Sequence, residues 1–368
     1  MNILLLPNSL KGSLNARQTA RILENALGKK HTLKTFLLSD GGDGFIDFFA
    51  SLYPQAQKVR VRAQNAFGKK TYTHYLWLAT TKTAVLETAR ICGLGSAKKQ
   101  ELDPLGATSF GVGEVMLHAL KKGAKKIFIG LGGVACNDGG AGIAQALGIQ
   151  LLDKKNQPLP KGAEPLLRLN RIDFSSLNKS LKSVRIYAVA DVTNPLLGPQ
   201  GSARVFGPQK GATPAQVRTL EKALSVYAKH IQKATQKDIS RVPSTAAAGA
   251  LCAGLYGLLQ AEIILGSDFL KKHLPLQKWT RWADLLITTE GKLDCQTLYG
   301  KAPLAALQAA AKQHKKALFI CGTCEEKALK NLPKGLDLSV LCLTDFATCA
   351  EESIKHAAHF LRLAAKNI

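Results

Sequence analysis

The sequence lacks both a long apolar segment and a targeting signal. In its 368 residues, no apolar run approaches the roughly 18–20 residues that a membrane-spanning helix needs. The first ten residues, MNILLLPNSL, contain no basic region, and Pro7 interrupts their apolar part, so they make a poor signal peptide. We therefore expect a cytoplasmic protein with no membrane partner, whose first β-strand is Asn2–Leu6.

A disulfide framework is also absent. The chain has eight cysteines, but their spacing follows no disulfide pattern, and reduced thiols in a cytoplasm are the expectation. Cys321 and Cys324 form one CxxC after the strand-like stretch KALFI. Redox or zinc chemistry is an alternative there, but no second pair or well-spaced histidine accompanies this CxxC. Two ordinary thiols are the favoured interpretation.

Acidic residues are scarce. The chain has 26 Asp and Glu against 50 Lys and Arg, which gives a formal net charge of +24. Such a charge raises a nucleic-acid hypothesis. However, the lysines occur as scattered doublets, no block is rich in arginine, and aromatic residues make up only 6%, which leaves few platforms for base stacking. We expect attraction for small anions rather than for nucleic acid.

Low-complexity linkers and internal repeats are missing, and the length suits two domains. Short β-branched or leucine-rich runs alternate with helical stretches, which indicates α/β layers. Close strands at 72–78 and 83–86 indicate an antiparallel pair in the middle of the chain. We predict two α/β domains. One is a discontinuous, Rossmann-like doubly wound domain of residues 1–62 and 283–368, and the other is an inserted mixed α/β domain of residues 63–282.

The individual elements follow from the same periodicity. The predicted strands are Asn2–Leu6, Lys34–Leu38, Tyr72–Leu78, Thr83–Leu86, Lys126–Ile129, Arg185–Ala190, Leu285–Thr288, Ala317–Ile320 and Leu338–Leu343. The predicted helices are Ala16–Leu27, Gly111–Lys121, Ala141–Leu147, Pro214–Thr235, Ala246–Leu259, Pro303–Gln313 and Cys349–Ala365. Thr213 is the expected N-cap ahead of Pro214.

Polar and glycine-rich groups follow five of the predicted strands. They are Asn8–Ser13, Asp40–Gly44, Gly130–Gly142, Asp191–Pro195 and Thr289–Asp294. Any one of them is an ordinary turn when taken alone. Because the carboxyl ends of strands form the binding crevice of an open α/β sheet, five together predict a shared binding face.

The composition of that face indicates phosphoryl transfer. Its acids are Asp40, Asp43, Asp138, Asp191, Glu290 and Asp294, and the lysines at matching places are Lys11, Lys210 and Lys292. Glycine turns and helix N-termini let backbone amides approach an anion. Carboxylates beside an anion are expected where Mg²⁺ lies between them, as on nucleotide phosphates.

The loop GLGGVACNDGGAG (130–142) has three interpretations. Its start fits the dinucleotide pattern G-x-G-x-x-A, and Asp153 stands about 20 residues on, where a ribose-binding acid belongs. That pattern needs a helix beginning at the second glycine, whereas NDGG (137–140) intervenes here. No G-x-x-x-x-G-K-[ST] occurs, which excludes a P-loop. Phosphate or nucleotide handling is favoured, with a dinucleotide site and a structural turn as alternatives.

Taken together, six segments resemble the bacterial glycerate kinase family, of the type that yields 2-phosphoglycerate. They are PNSLKGSL (7–14), LSDGGDGF (38–45), LDPLGATSFGVGE (102–114), GLGGVACNDGGAGIAQALG (130–148), DVTNPLLGPQGSARVFGPQKGAT (191–213) and TTEGKLDCQTLYGKAP (288–303). The resemblance implies an ATP-dependent kinase of D-glycerate, with two α/β domains and the active site in the crevice between them. Assembly as a homo-oligomer is left open.

On this basis each candidate residue has an expected role. Asp191 is the expected base, with an Asx-type turn at Thr193–Asn194 as its structural alternative. Ser9, Lys11, Asp40, Asp43 and Asn194 are expected at the substrate, where Lys11 pairs with its carboxylate or phosphate. Gly132, Gly133, Asn137, Asp138, Gly139, Gly140 and Lys210 are expected at the phosphates of ATP. Glu290 and Asp294 are expected to hold Mg²⁺ or ribose, and a purely structural role is equally open for both.

The chain also departs from the family pattern at several positions. The family usually has aspartate where this chain has Asn8, Ser and Thr where it has Val134 and Cys136, and GEGRIDGQT around Thr289–Thr297. Residues 244–254 contain fewer glycines than the family's PGAGAAGGLG. The alternative function is therefore that of a divergent paralogue, acting on another small hydroxy acid or binding ligand with little activity.

Overall fold

The computed structural model describes residues 1–10, 12–39, 41–95, 97–293, 302–329, 332–333, 335–366 and 368. Its strands are β1 (Asn2–Leu6), β2 (Thr32–Thr35), β3 (Gln57–Gln64), β4 (Lys70–Leu78), β5 (Thr83–Glu87), β6 (Lys126–Leu131), β7 (Gln150–Leu152), β8 (Arg171–Asp173), β9 (Arg185–Ala190), β10 (Glu262–Leu265), β11 (Leu285–Leu293), β12 (Lys316–Cys324) and β13 (Leu338–Cys342). Its α-helices are α1 (Ala16–Leu27), α2 (Phe45–Leu52), α3 (Ala89–Cys92), α4 (Phe110–Lys121), α5 (Ala141–Ala146), α6 (Ser202–Phe206), α7 (Pro214–Thr235), α8 (Ala247–Leu259), α9 (Gly266–His273), α10 (Leu276–Trp282), α11 (Ala302–Lys312), α12 (Glu326–Leu329), α13 (Ala350–Lys355) and α14 (Ala357–Lys366). Short 3₁₀ helices cover Lys99–Glu101, Glu164–Arg168, Lys179–Ser183, Pro208–Lys210 and Leu343–Phe346. Among the helices described, none combines the length and the hydropathy that crossing a membrane requires.

Contacts between Cα atoms group the chain into two units. The first unit comprises Met1–Asp40, Asp47–Pro54 and Gly266–Ile368, and the second comprises Gly41–Ile46 and Gln55–Leu265. The predicted domain boundaries, at 62/63 and 282/283, stay a prediction, and the contact units divide the chain elsewhere. Two pairings explain the difference, because β3 pairs with β4 in the second unit while α10 packs on α11 and β1 in the first.

The first unit is built on a parallel five-stranded sheet. Its strand order is β13-β12-β11-β1-β2, and every neighbouring pair is parallel. Residues Ile3 to Leu6 of β1 are all completely buried. Because successive side chains of a strand point to opposite faces, this burial means that both faces of the sheet are covered, as parallel sheets require.

The second unit is built on a mixed six-stranded sheet. Its order is β10-β9-β6-β5-β4-β3, in which β10, β9, β6 and β5 run parallel and the β5–β4 and β4–β3 pairs are antiparallel. The predicted antiparallel pair is therefore confirmed, and so is the predicted fold class of two α/β domains. The carboxyl ends of β5, β6 and β9 lie along one edge, and the loops that follow them carry most of the candidate site residues.

Helix α7 shows how local sequence determines an element. The Thr213 hydroxyl accepts the N–H of Gln216 at 3.3 Å, and the Gln216 side chain accepts the N–H of Thr213 at 2.9 Å. This reciprocal capping box, with Pro214 at the first helical position, fixes where the helix begins. The predicted N-cap is confirmed.

Candidate active site

The glycine-rich loop after β6 consists of an exposed half and a buried half. Gly132 is half-buried and Gly133 is exposed, whereas every residue from 134 to 144 is buried. Helix α5 begins only at Ala141, well beyond the second glycine of the G-x-G-x-x-A pattern. Asp153 accepts the N–H groups of Lys155 and Gln157 at 2.8 and 2.9 Å, so its carboxylate holds a local turn. These features exclude the dinucleotide geometry, which needs a helix starting at the second glycine.

Asp138 is the polar centre of the buried half. Its Oδ2 accepts from Ser109 N at 2.7 Å, Ser109 Oγ at 2.9 Å, Thr108 Oγ1 at 3.1 Å and Gly142 N at 3.1 Å, and its Oδ1 accepts from Gly140 N at 3.2 Å. Burial raises the pKa of Asp138, and the hydrogen bonds from Ser109, Gly142 and Gly140 oppose this shift. The carboxylate thus links the starts of α4 and α5, and the amide of Gly140 already donates within the protein.

Lys210 holds the same buried half of the loop by hydrogen bonds to Cys136 and Asn137, and we call these three residues the clamp. Its Nζ donates to the carbonyl oxygen of Cys136 at 2.6 Å and to Oδ1 of Asn137 at 3.0 Å, and Nδ2 of Asn137 donates to the carbonyl of Pro104 at 3.1 Å. Burial lowers the pKa of Lys210 to about 8. Lys210 and Asn137 are expected from the sequence at the phosphates of ATP, but here they are buried and bonded to one another.

A strained segment at the start of α8 packs against this clamp. Ala248, Gly249 and Ala250 are consecutive left-handed residues with φ of 54°, 64° and 65°. The N–H of Gly139 donates to the carbonyl of Gly249 at 3.2 Å. A left-handed alanine costs roughly 1–2 kcal/mol, so tertiary contacts must stabilise this backbone. The segment lies within residues 244–254, which resemble the family's glycine-rich stretch.

The exposed half of the loop faces an acidic segment. A Cβ placed on Gly133 would lie 2.7 Å from Oδ1 of Asp43, an exposed aspartate in the segment before α2. Glu87, at the end of β5, accepts the N–H of Ile46 at 3.0 Å and pairs with Nε of Arg90 at 3.2 Å. Burial raises the pKa of Glu87, and the Arg90 charge opposes the shift. Glu87 thereby holds the start of α2 and positions Asp43.

The end of β9 contributes Asp191 and Asn194. Asp191 directly follows β9 and is exposed, while Asn194 is half-buried. Nδ2 of Asn194 donates to the carbonyl of Gln200 at 2.9 Å, and its own carbonyl accepts from Ala246 N at 3.2 Å. Because β6 and β9 are parallel neighbours, Asp191 lies on the same edge of the sheet as Gly132 and Gly133.

The candidate residues of the first unit lie at the ends of β1 and β11. The N–H of Asn8 donates to Thr289 Oγ1 at 3.1 Å, and the Thr289 hydroxyl donates to the carbonyl of Asn8 at 2.8 Å. Ser9 is half-buried beside this contact. Strand β11 extends to Leu293, so Glu290 lies within the strand and is buried, rather than beyond the strand end as the sequence predicts. Lys11, Asp40 and Asp294 lie outside the described residues.

Comparison with known proteins determines the family. The sequence model of the glycerate kinase family matches residues 3–368. The chain belongs to the glycerate kinase family. The resemblance stated from the sequence motifs is thereby confirmed, and so is the predicted enzyme class, a phosphotransferase with an alcohol group as acceptor.

Individual members of the glycerate kinase family match along their full length. A protein from Escherichia coli K12 named glycerate 2-kinase is 35% identical over 371 residues, covering 100% of this chain and 97% of that protein. The glycerate kinase of Halalkalibacterium halodurans is 33% identical over 369 residues, covering 100% of this chain and 97% of that protein. A crystal structure from Salmonella typhimurium LT2, provisionally named glycerate kinase 2, is 34% identical with a TM-score of 0.81, and covers 100% of this chain and 96% of that one.

Two departures from the glycerate kinase pattern are core positions. Val134 and Cys136 are both buried, and Sγ of Cys136 lies 3.9 Å from Sγ of Cys92. These two side chains therefore bear on packing of the buried half.

Sequence reasoning missed Glu87, Thr108 and Ser109. A glutamate ending the apolar run TAVLE, and hydroxyls just before helix α4, were the available signals.

Proposed function

We propose that this protein transfers the γ-phosphoryl group of ATP to the 2-hydroxyl of D-glycerate and forms ADP and 2-phosphoglycerate. The observation that carries the proposal is the full-length match, at 35% identity, to the E. coli protein named glycerate 2-kinase. Exposed carboxylates and glycines at the edge of the second sheet support it, because phosphoryl transfer depends on positioned acids and on close approach of backbone to phosphate. The cytoplasmic location and the choice of small anions over nucleic acid stay predictions.

Asp191 is the proposed base of the reaction. Its carboxylate is exposed at the end of β9, the position from which an acceptor hydroxyl is reached in an α/β sheet. The 2-hydroxyl oxygen forms a bond to the γ-phosphorus, the bond to the ADP oxygen breaks, and the hydroxyl proton passes to Asp191. Asp43 and Asn194 are the proposed neighbours of the acceptor. Ser9 and Lys11 are proposed to bind the glycerate carboxylate.

The exposed half of the β6 loop is the proposed phosphate contact. Gly132 and Gly133 carry no side chain, so a phosphate can approach their backbone closely. We assign Asn137, Asp138, Gly139, Gly140 and Lys210 to holding this loop in place instead. Their burial, and the hydrogen bonds of the Gly139 and Gly140 amides to the Gly249 carbonyl and the Asp138 carboxylate, support that assignment.

The donor chemistry of the described residues fits Mg²⁺ bound mainly through a nucleotide. Such an ion takes one or two protein carboxylates and keeps oxygens of phosphate and water. Within the described ranges no three His, Cys, Asp or Glu side chains form a metal-binding group. Glu290 offers a single buried carboxylate within β11 of the first sheet. We propose Glu290 and Asp294 as the protein's ligands, and the bound ion would neutralise phosphate charge.

The first test measures product directly. Purified protein with ATP, Mg²⁺ and D-glycerate should form ADP, and enolase should convert the product to phosphoenolpyruvate, because enolase acts on 2-phosphoglycerate but not on the 3-isomer. A product that reacts only after phosphoglycerate mutase is added would assign the other hydroxyl. Turnover with a different hydroxy acid, or a ligand-raised melting temperature without turnover, would support the divergent paralogue instead.

The second test removes the proposed base. Asp191→Asn should lower kcat by about 10²–10⁴-fold, the usual contribution of general base catalysis. Asp153→Asn is the matched control, because Asp153 is an aspartate of the same unit whose carboxylate holds only a turn. It should keep the wild-type kcat. A near-normal kcat for Asp191→Asn, with unchanged melting temperature, would remove Asp191 from the reaction.

A further inference from the structure

Three cysteines lie together at the carboxyl ends of β12 and β13. Cys321 and Cys342 are direct partners in the parallel register of these strands, and their Sγ atoms are 3.5 Å apart. Cys324 lies three residues further along β12, and its thiol is hydrogen-bonded to Cys342. Cys321 is buried, whereas Cys324 and Cys342 are half-buried. The proposed kinase reaction uses none of these thiols.

The register of β12 and β13 is compatible with a disulfide between Cys321 and Cys342. Paired strands lie about 4.7–4.9 Å apart, and disulfides join Cα atoms about 4.4–6.8 Å apart. The two sulfur atoms, 3.5 Å apart, need to approach by a small distance to reach the bond length. We propose that Cys321 and Cys342 are a reversible oxidation site, at which a peroxide produces a disulfide across β12 and β13.

Cys342 is the thiol that reacts first with the oxidant. It is half-buried, unlike Cys321, and the thiols of Cys321 and Cys324 both hydrogen-bond to it. Burial raises the pKa of Cys342, the nearby Asp345 charge raises it further, and the hydrogen bonds with Cys321 and Cys324 oppose the shift. Of the two paired sulfurs, Cys342 is therefore the one that an oxidant can reach from solvent.

The chemistry balances with hydrogen peroxide as the oxidant. The Cys342 thiolate attacks one peroxide oxygen, the O–O bond breaks, and protonation of the departing hydroxide leaves a sulfenic acid and water. Cys321 Sγ then attacks the sulfenic sulfur, the S–S bond forms, the S–O bond breaks, and a second water leaves. Two thiols lose two electrons, which reduce one peroxide to two waters, and a dithiol reductant reverses the result.

A second thiol pair in the chain supplies an internal control. Sγ of Cys136 lies 3.9 Å from Sγ of Cys92, but both residues are completely buried. This pair has a similar sulfur separation without an exposed member. If proximity alone were enough, both pairs would oxidise. If access through Cys342 is required, only the pair on β12 and β13 will do so.

The experiment treats the full-length reduced protein with hydrogen peroxide, alkylates remaining thiols under denaturing conditions, and maps disulfides by peptide mass spectrometry. The expected result is a Cys321–Cys342 cross-link that dithiothreitol removes, with Cys92 and Cys136 still alkylated. A Cys324–Cys342 cross-link, a Cys92–Cys136 cross-link of equal yield, or sulfinic acid on Cys342 beside free Cys321 would each overturn the proposal.

Two serine variants make the assignment specific. Cys342→Ser should abolish the cross-link at Cys321, whereas Cys324→Ser should preserve it at the wild-type yield. Both variants exchange a half-buried thiol for a hydroxyl of similar size, so folding can be compared by circular dichroism. Loss of the cross-link in Cys324→Ser with the native spectrum retained would show that the wrong pair was assigned.

Discussion

At the scale of single residues, Lys210 is notable because its ammonium group is buried and donates to two neutral oxygens. The two groups to which it donates, the Cys136 carbonyl and the Asn137 amide, carry no formal charge. Removing an ammonium from water is costly, and neutral oxygens compensate for that cost only in part. This is why burial lowers the pKa of Lys210 to about 8 from 10.5. The clamp on the β6 loop is therefore sensitive to protonation.

The lowered pKa predicts how stability changes with pH. Between about pH 8 and pH 10.5 the unfolded chain holds the Lys210 proton while the folded protein releases it, so this residue's contribution to the free energy of unfolding rises with pH. We expect the free energy of unfolding of the wild type, measured by urea denaturation, to rise relative to that of Lys210→Met by about 2 kcal/mol from pH 8 to pH 10.

The comparison with Lys210→Met isolates this residue from opposing titrations. Burial raises the pKa of the Tyr227 hydroxyl and of the Cys252 thiol, and these groups lower stability as pH rises. They are present in both proteins and cancel in the difference. A difference that stays constant from pH 8 to pH 10 would contradict the lowered pKa of Lys210.

The β6 loop shows what the sequence could predict about the site and what it could not. Its glycines and the polar pair Asn137 and Asp138 identified it as important, and the late start of α5 agrees with the preference for phosphate handling over the dinucleotide alternative. The local sequence could not predict which side chains of the loop point inward. Their orientation depends on Ser109 and Lys210, which lie far away in the sequence and form hydrogen bonds with the buried polar atoms.

At the scale of elements, the left-handed start of α8 predicts an unusual dependence on one glycine. A Cβ on Gly249 would collide with the carbonyl oxygen of Cys136 and lie 2.6 Å from Nζ of Lys210, so Gly249→Ala must displace the clamp as well as strain the backbone. We expect Gly249→Ala to lower the free energy of unfolding by more than about 2 kcal/mol, because left-handed strain and overpacking add together. Thermal or urea unfolding measures it.

Gly68→Ala is the matched control for Gly249→Ala. Gly68 has φ of +79° in the same unit, but a Cβ there meets nothing within 4 Å. Its substitution should cost only the left-handed term of roughly 1–2 kcal/mol. Equal losses of unfolding free energy in the two variants would show that the contact of residue 249 with the clamp does not contribute to the destabilisation.

The elements that were predicted to the residue are those with strong local signals. Strands β1 and β9 and helices α1 and α7 have the predicted bounds, because continuous apolar runs, helical periodicity and caps define them. Strand β3, QKVRVRAQ, was missed; it lies at the edge of its sheet, and only two of its eight residues are buried. Helix α2 was missed because its start depends on Glu87, which lies 41 residues beyond Ile46 in the sequence.

At the scale of the whole molecule, charge is the dominant feature. Fifty cationic side chains stand against 26 acidic ones. Among the described residues six ion pairs lie within 4 Å, and several of the acids are buried in the hydrogen-bond networks described above. Most of the positive charge therefore repels other positive charge. Such self-repulsion lowers the stability of a compact state without affecting which fold is formed.

Self-repulsion predicts that simple salt stabilises this protein. Raising sodium chloride from about 0.01 M to about 0.3 M shortens the screening length from about 30 Å to below 10 Å, so the melting temperature should rise by several degrees. Lys154→Glu with Lys155→Glu, in an exposed turn, should flatten the salt dependence, whereas the two arginine substitutions should preserve it. An unchanged or falling melting temperature in sodium chloride would show that the cations are compensated locally.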